Sequence, residues 1–246
     1  MNIDCIERIP CFKNSDAAFS LRRGGESTGN YAYLNLGDHV GDDPLLVKKN
    51  RQIFEHAFGH RCVFMQQIHG TKAVLVRKVP KLIPECDAIV TDVKGLGLAV
   101  MTADCLPLLL QTTDGTVCAA VHCGWKGLAH GVVQNTVSLI RKLSPSPLEA
   151  YTGPCIGPLS FEVGPEVKEE FVRSLGADAT AAFKSSRADR LLCSLPDLTA
   201  MALMQSGAEI TKIVHSGCDT FREMERFFSY RRNAVTGRMA TVIALR

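Results

Sequence analysis

CVFMQQIHG (62–70), AVLVR (73–77), DAIVT (87–91), LAVMTADCLPLLL (98–110) and VCAAVHCGWKG (117–127) follow one another almost without interruption. Each is a short apolar run closed by a turn. The gaps are too short for the crossover helix that a parallel strand pair requires. The runs therefore predict strands paired antiparallel or in mixed sheets rather than successive βαβ units. Outward from this stretch, glycine-rich RRGGESTGNYAYLNLGDHVGDDP (22–44) reads as loops around short strands. Asp43 and Pro44 then open a helix, as N-cap and first helical residue, and Gly59 closes it.

Downstream, helical spacing predicts one helix over 126–143, with Leu128, Val132, Val133, Thr136, Ile140 and Leu143 on its apolar face. Two more are predicted from Pro165 to Leu175 and from Pro196 to Ser206, the second stopping at Gly207. ITKIVHS (210–216), RFFSYRR (226–232) and RMATVIALR (238–246) read as strands, the last two joined by NAVTG (233–237) as a hairpin loop. No repeat, linker or low-complexity tract interrupts the chain. The prediction is a single α+β domain over 1–246, with mixed or antiparallel sheets flanked by helices.

Composition narrows the function. The chain has 246 residues, a net charge of +3 and 22% charged residues, with lysines and arginines dispersed. It lacks the basic field of a nucleic-acid binder and any apolar run of membrane-spanning length. MNIDCIERIP has no signal-peptide pattern. None of the ten cysteines forms a C-x-x-C pair. Reduced thiols and a cytoplasmic location are the expectation.

His69, Cys105 and His122 each sit where an apolar run breaks into a turn. Two imidazoles and a thiolate at one end of a sheet supply three of a zinc ion's four ligands, leaving an open position as catalytic sites do. Their spacing matches no short metal signature. Two core histidines and a buried thiol would give the same pattern, and Cys105 with His122 would equally make a metal-free nucleophile–base dyad for a cysteine hydrolase. His69 has a role only with metal. Cys123 adjoins His122, but neighbours on extended backbone face opposite sides. The same rule allows only one of Arg231 and Arg232 to reach a site. TGPCIGPLSFEVGPEV (152–167), dense in proline and glycine, reads as a tightly specified loop. His39 reads as a loop or core histidine.

Several stretches together resemble the YfiH-like proteins, the laccase-domain family now viewed as purine nucleoside phosphorylases. They are FSLRRGGESTGNYAYLNLGDHVGDDP (19–44), QQIHG (66–70), DAIVTD (87–92), TADCLPLLL (102–110), VHCGWKGL (121–128), GPCIGPLSFEVG (153–164) and FFSYRRNAVTGRM (227–239). Departures at Leu21, Cys123, Lys126 and Asn233 spare the trio. The resemblance implies a layered α/β/β/α fold like that of the cytotoxic necrotising factor deamidases. It implies one zinc on His69, Cys105 and His122. It also implies cleavage of adenosine, inosine, guanosine and methylthioadenosine with inorganic phosphate, and deamination of adenosine. Phosphorolysis needs an anion cradle, for which Arg22, Arg51 and Arg231 are the candidates. The laccase label fits less well: multicopper oxidases carry paired H-x-H motifs, and no two of the seven histidines here lie two apart. Copper can still occupy the same donors, giving polyphenol oxidation through metal loading. A nucleoside- or metal-binding module without catalysis is the remaining alternative.

Overall fold

Alternation along the central strands divides their side chains between two cores. In the strand Cys118–Cys123, Ala119, Val121 and Cys123 enter one buried cluster while Cys118 and Ala120 enter another. Its neighbour Leu106–Thr112 does the same, with Leu108 and Leu110 on one side and Leu109 on the other. Both strands are buried along their whole length, which is why they read as unbroken apolar runs.

A computed structural model describes residues 5–246; Met1–Asp4, part of the segment lacking a signal-peptide pattern, lie outside them. A six-stranded sheet runs in the order Ile210–His215, Leu148–Thr152, Leu106–Thr112, Cys118–Cys123, Ala88–Thr91, Ala73–Leu75. A five-stranded sheet runs Ile6–Arg8, Ser15–Ser20, Met239–Leu245, Gly97–Thr102, Cys62–Val63. Pairing is mixed in both. The sheets face each other across one core that includes Phe19, Leu98, Val100, Ile89, Leu109 and Tyr151. The outer face of the six-stranded sheet is covered by helices Trp125–Ala129, Val132–Arg141, Pro165–Leu175 and Leu195–Met204. The outer face of the five-stranded sheet is covered by helix Pro44–Phe58. The result is a mixed α/β domain layered helix, sheet, sheet, helices, and no helix among the described residues is long and apolar enough to cross a membrane.

Helix Pro44–Phe58 starts and stops as read: the Asp43 carboxylate accepts from the Leu45 amide at 2.8 Å, and Gly59 takes the left-handed conformation at φ 94°. Its Phe54 and Phe58 rest on Ala18, Ala99, Ala240 and Ala244, small residues that leave room for two rings. Phe54 is fully buried. Phe54→Ala is expected to cost ~3–5 kcal/mol of stability, as for other buried aromatics cut to alanine, measurable as a lowered denaturant midpoint at unchanged slope.

Three sequence expectations are corrected. The helix read over 126–143 is two helices, because Gly131 adopts φ 96° between them and turns the chain. Ahead of the helix at Pro44, residues 22–43 form no strands, only a 3-10 turn over Gly29–Tyr31. RFFSYRR is not a strand, and NAVTG joins no hairpin. Phe227 and Phe228 are adjacent yet both fully buried in the inter-sheet core, which strand alternation would forbid. The Arg232 guanidinium fastens this turn by donating to the carbonyls of Thr220, Phe221 and Phe227. The final strand Met239–Leu245 pairs instead with Ser15–Ser20 and Gly97–Thr102.

Candidate metal centre

The hairpin Leu106–Thr112/Cys118–Cys123 sets Leu106 opposite Cys123 and Pro107 opposite His122. Cys105 and His122 are thereby neighbours at one end of the sheet. A left-handed turn at Asp104 (φ 99°) separates Cys105 from the preceding strand Gly97–Thr102. That conformation is unfavourable for a residue with a Cβ. It is held because the Asp104 carboxylate accepts from Thr220 Oγ1 at 2.6 Å, Ser229 Oγ at 3.0 Å and the Arg231 amide at 2.7 Å.

His69 arrives differently from its expectation. The strand before it is only Cys62–Val63, and His69 lies in a loop at φ 59°. One carboxylate holds this loop: Asp87, fully buried, accepts from the amides of Ile68 at 3.3 Å, His69 at 2.9 Å and Gly70 at 2.7 Å. The same group lies 2.8 Å from His122 Nδ1, and its own backbone carbonyl accepts from the His122 amide. Asp87 thus fixes both histidines. With Nδ1 engaged, His122 turns Nε2 toward the other two side chains, the carboxylate–histidine arrangement common behind metal ligands.

One ligand atom from each of His69, Cys105 and His122 lies within 4.8 Å of the others. His69 Nε2 stands 3.8 Å from Cys105 Sγ, and the two imidazole rings are nearly perpendicular. Gly124 supplies the space: a Cβ there would fall 2.8 Å from the His69 ring, 3.3 Å from the His122 ring and 3.4 Å from Cys105 Sγ. His69 is exposed, Cys105 half-buried and His122 buried.

Electrostatics single out Cys105. Burial acts to raise its pKa, but the His122 charge and hydrogen bonds from His122 and His69 outweigh it and draw the thiol below its ordinary range. His122 moves oppositely: burial lowers it, while Cys105 and Asp87 raise it further. Elsewhere, burial pushes Cys86 up to about 11 and Cys118 up to about 12, and Cys123 upward as well. Cys123 faces the helix-side core as alternation predicts. The thiolate character, the two imidazoles and the cleared space fit a soft or borderline divalent metal.

The trio opens into a cavity of about 560 Å³, whose wall includes Trp125, Ile156, Phe161, Leu195 and Tyr230. Of the three arginines proposed for an anion cradle, Arg231 lines it. Arg22 and Arg51 are not among the lining residues. Arg22 spends its guanidinium on the carbonyls of Ala32 and Met224. Arg51 bonds the Leu36 carbonyl and pairs with Asp38 at 3.1 Å, one layer behind the wall. Arg232 is tied to carbonyls, so of the pair only Arg231 lines the cavity, on a backbone that forms a turn and not the extended strand that the alternation requires. Sequence reasoning missed Asp87, Gly124 and Arg238; His39, read as a loop or core histidine, is an exposed loop residue and with Arg238 lines the cavity. The signal for Asp87 was available: a carboxylate heading the otherwise apolar, wholly buried strand Ala88–Thr91.

The family model described as multi-copper polyphenol oxidoreductase laccase matches residues 16–246. A purine nucleoside phosphorylase of Haemophilus influenzae is 40% identical over 235 residues, covering 94% of each chain. The purine nucleoside phosphorylase YfiH of Escherichia coli is 40% identical over 242 residues, covering 98% of each. The crystal structure of a Neisseria meningitidis protein, 38% identical, matches with a TM-score of 0.91 over 98% of this chain and 99% of that one. That of YlmD from Geobacillus stearothermophilus, 29% identical, matches with a TM-score of 0.90 over 97% and 94%. Sequence and fold agree across nearly the whole length, and the chain belongs to the laccase-domain family of YfiH-like proteins.

Proposed function

We propose that this protein is a purine nucleoside phosphorylase that also deaminates adenosine, with one zinc ion held by His69, Cys105 and His122. The observation that carries the reading is the convergence of these three donors, with Asp87 behind two of them, at the floor of a nucleoside-sized cavity. The names of the relatives support the substrate class. A bound zinc ion supplies Lewis acidity and activates water near neutral pH, chemistry suited to attack at C6 of adenine. The chain's own residues do the rest. Trp125, Phe161 and Tyr230 offer ring faces to a purine, and Ile156 and Leu195 exclude water around it. Asp87 holds the His122 tautomer, and the depressed Cys105 thiol is ready to ligate as thiolate. Copper(II) loaded on the same donors would account for the polyphenol oxidoreductase description that the family carries.

One observation favours a second reading. Asp87, His122 and Cys105 also form the carboxylate–imidazole–thiol line of a metal-free cysteine hydrolase. His69 separates the two, because such a line needs no third donor 3.8 Å from the sulfur. Adenosine incubated with and without phosphate, with products separated by chromatography, tests the proposal. Phosphate-dependent adenine and phosphate-independent inosine are expected; neither product from zinc-loaded protein would refute it. His69→Ala is expected to lower zinc affinity by more than about 100-fold, the upper range for losing a mere supporting partner. Full activity in metal-free His69→Ala would establish the cysteine hydrolase instead.

A further inference from the structure

The guanidinium groups around the site differ in how fully the protein occupies them. Arg22 and Arg232 each give three hydrogen bonds to backbone carbonyls. Arg51 has Asp38, and Arg226 has Glu7 and Glu223. The two arginines in the cavity wall are the exceptions. Arg231 donates from Nη1 to the Glu162 carbonyl at 2.9 Å and lies over the Phe161 ring. Arg238 donates from Nη1 to the carbonyls of Thr236 and Gly237, both at 3.0 Å, and lies over the Tyr230 ring. Among the described residues neither has a carboxylate partner, and Nε and Nη2 of each bond to no protein atom.

Two cations on one wall, Arg238 half-buried and Arg231 exposed, each retaining a pair of parallel donors, suit a tetrahedral oxyanion bound bidentately. Arg231 lies 5.3 Å from the Phe161 ring centre and Arg238 6.0 Å from that of Tyr230, and the Asp104 carboxylate anchors the Arg231 backbone at 2.7 Å. Asp104 itself is saturated by three donors and competes poorly for the guanidinium. Arg238 lines the same cavity as His69, Cys105 and His122.

On the phosphorolysis reading, we propose that Arg231 and Arg238 form the subsite for free inorganic phosphate beside His69, Cys105 and His122. Hydrogenphosphate held there forms the bond from its oxygen to the anomeric carbon of the ribose. The glycosidic C–N bond breaks with its electron pair going to the purine. The purine nitrogen takes up the proton that hydrogenphosphate gives up, so atoms and charge balance as purine and ribose 1-phosphate.

Titration calorimetry of the full chain with inorganic phosphate tests the subsite without turnover. Arg231→Gln and Arg238→Gln are each expected to weaken phosphate binding about 10- to 100-fold, the worth of a charged hydrogen-bonding group. Arg238→Lys, which keeps the charge and loses the fork, should fall between. Arg77→Gln removes an equal charge from an exposed pair with Asp92 and should bind as wild type. Melting curves without phosphate identify any variant that fails to fold, and Arg231→Lys replaces Arg231→Gln in that event. Wild-type phosphate affinity in folded variants of both positions would overturn the subsite. Binding of adenosine 5′-monophosphate through these arginines, with no binding of phosphate, would overturn the free ion and put the oxyanion on the nucleoside. Arginine-dependent phosphate binding without adenine release would refute phosphorolysis and leave the subsite standing. Adenine release with an unchanged phosphate KM in both Gln variants would do the reverse.

Discussion

Asp87→Ala is expected to cost the protein both its metal affinity and a large part of its stability. The carboxylate is fully buried and is shared by three backbone amides, of Ile68, His69 and Gly70, and by His122 Nδ1. Burial acts to raise its pKa, yet the His122 and backbone hydrogen bonds hold it below the ordinary carboxylate range. Removing it strands the buried His122 Nδ1 and three part-buried amides, and releases the left-handed turn at His69. Breaking a buried ionic pair in this way costs ~3–5 kcal/mol, which chemical denaturation would read. Asp87→Asn separates the two effects. It keeps the shape and one acceptor oxygen, so the fold should survive while the His122 ring loses its fixed orientation. Metal affinity should then drop about 10- to 100-fold, measured by chelator competition. Wild-type metal affinity in Asp87→Asn would show that Asp87 serves the fold alone.

Gly124→Ala is the complementary experiment, because it is expected to empty the metal centre while sparing the fold. The added Cβ would lie 2.8 Å from His69 Cδ2 and 3.4 Å from Cys105 Sγ, filling the space between the ligands. The His69 side chain is exposed and can swing into solvent, so the clash is relieved by losing a ligand rather than by moving a strand. Metal binding should fall at least about as far as in Asp87→Asn, with a melting temperature near wild type. Gly127→Ala sharpens the comparison. Its Cβ would meet the Gly70 backbone carbonyl at 2.5 Å, where nothing flexible can yield, and overpacking of this kind costs ~1–3 kcal/mol. Equal metal affinity in Gly124→Ala and wild type would mean that the trio closes around its metal elsewhere than in the space Gly124 leaves.

The two experiments rest on features that differed in how well they could be read from sequence. His69, Cys105 and His122 were legible as candidates because each interrupts an apolar run, a pattern that by itself also fitted core histidines with a buried thiol or a metal-free dyad. Helices Pro44–Phe58 and Pro165–Leu175 were legible, the first because Asp43, Pro44 and Gly59 mark its ends locally and the second from Pro165 and the four-residue spacing of Val167, Phe171 and Leu175. The C-terminal turn was not. RFFSYRR alternates well enough for a strand, and only Arg232 reaching back to the Thr220 and Phe221 carbonyls decides otherwise. The arginines of the cavity were only partly legible. Arg22, Arg51, Arg231 and Arg238 are the same side chain in sequence, and what separates them is which carbonyls and carboxylates the fold leaves beside each.

The sequence by itself determined a mixed α/β domain with sheets flanked by helices, through closely spaced apolar strands and the caps that bound its helices, while the layered order was implied by the family resemblance. It also offered His69, Cys105 and His122 as candidate metal ligands, because their types and their places where apolar runs break are local properties. The tertiary structure alone decided that one buried carboxylate, Asp87, serves the loop of His69 and the ring of His122 at once, and that Gly124 clears the space between them. It alone decided which arginines keep free donors facing the cavity. These are matters of distance between segments far apart in the chain, and such distances exist only once the two sheets and their hairpin register are in place.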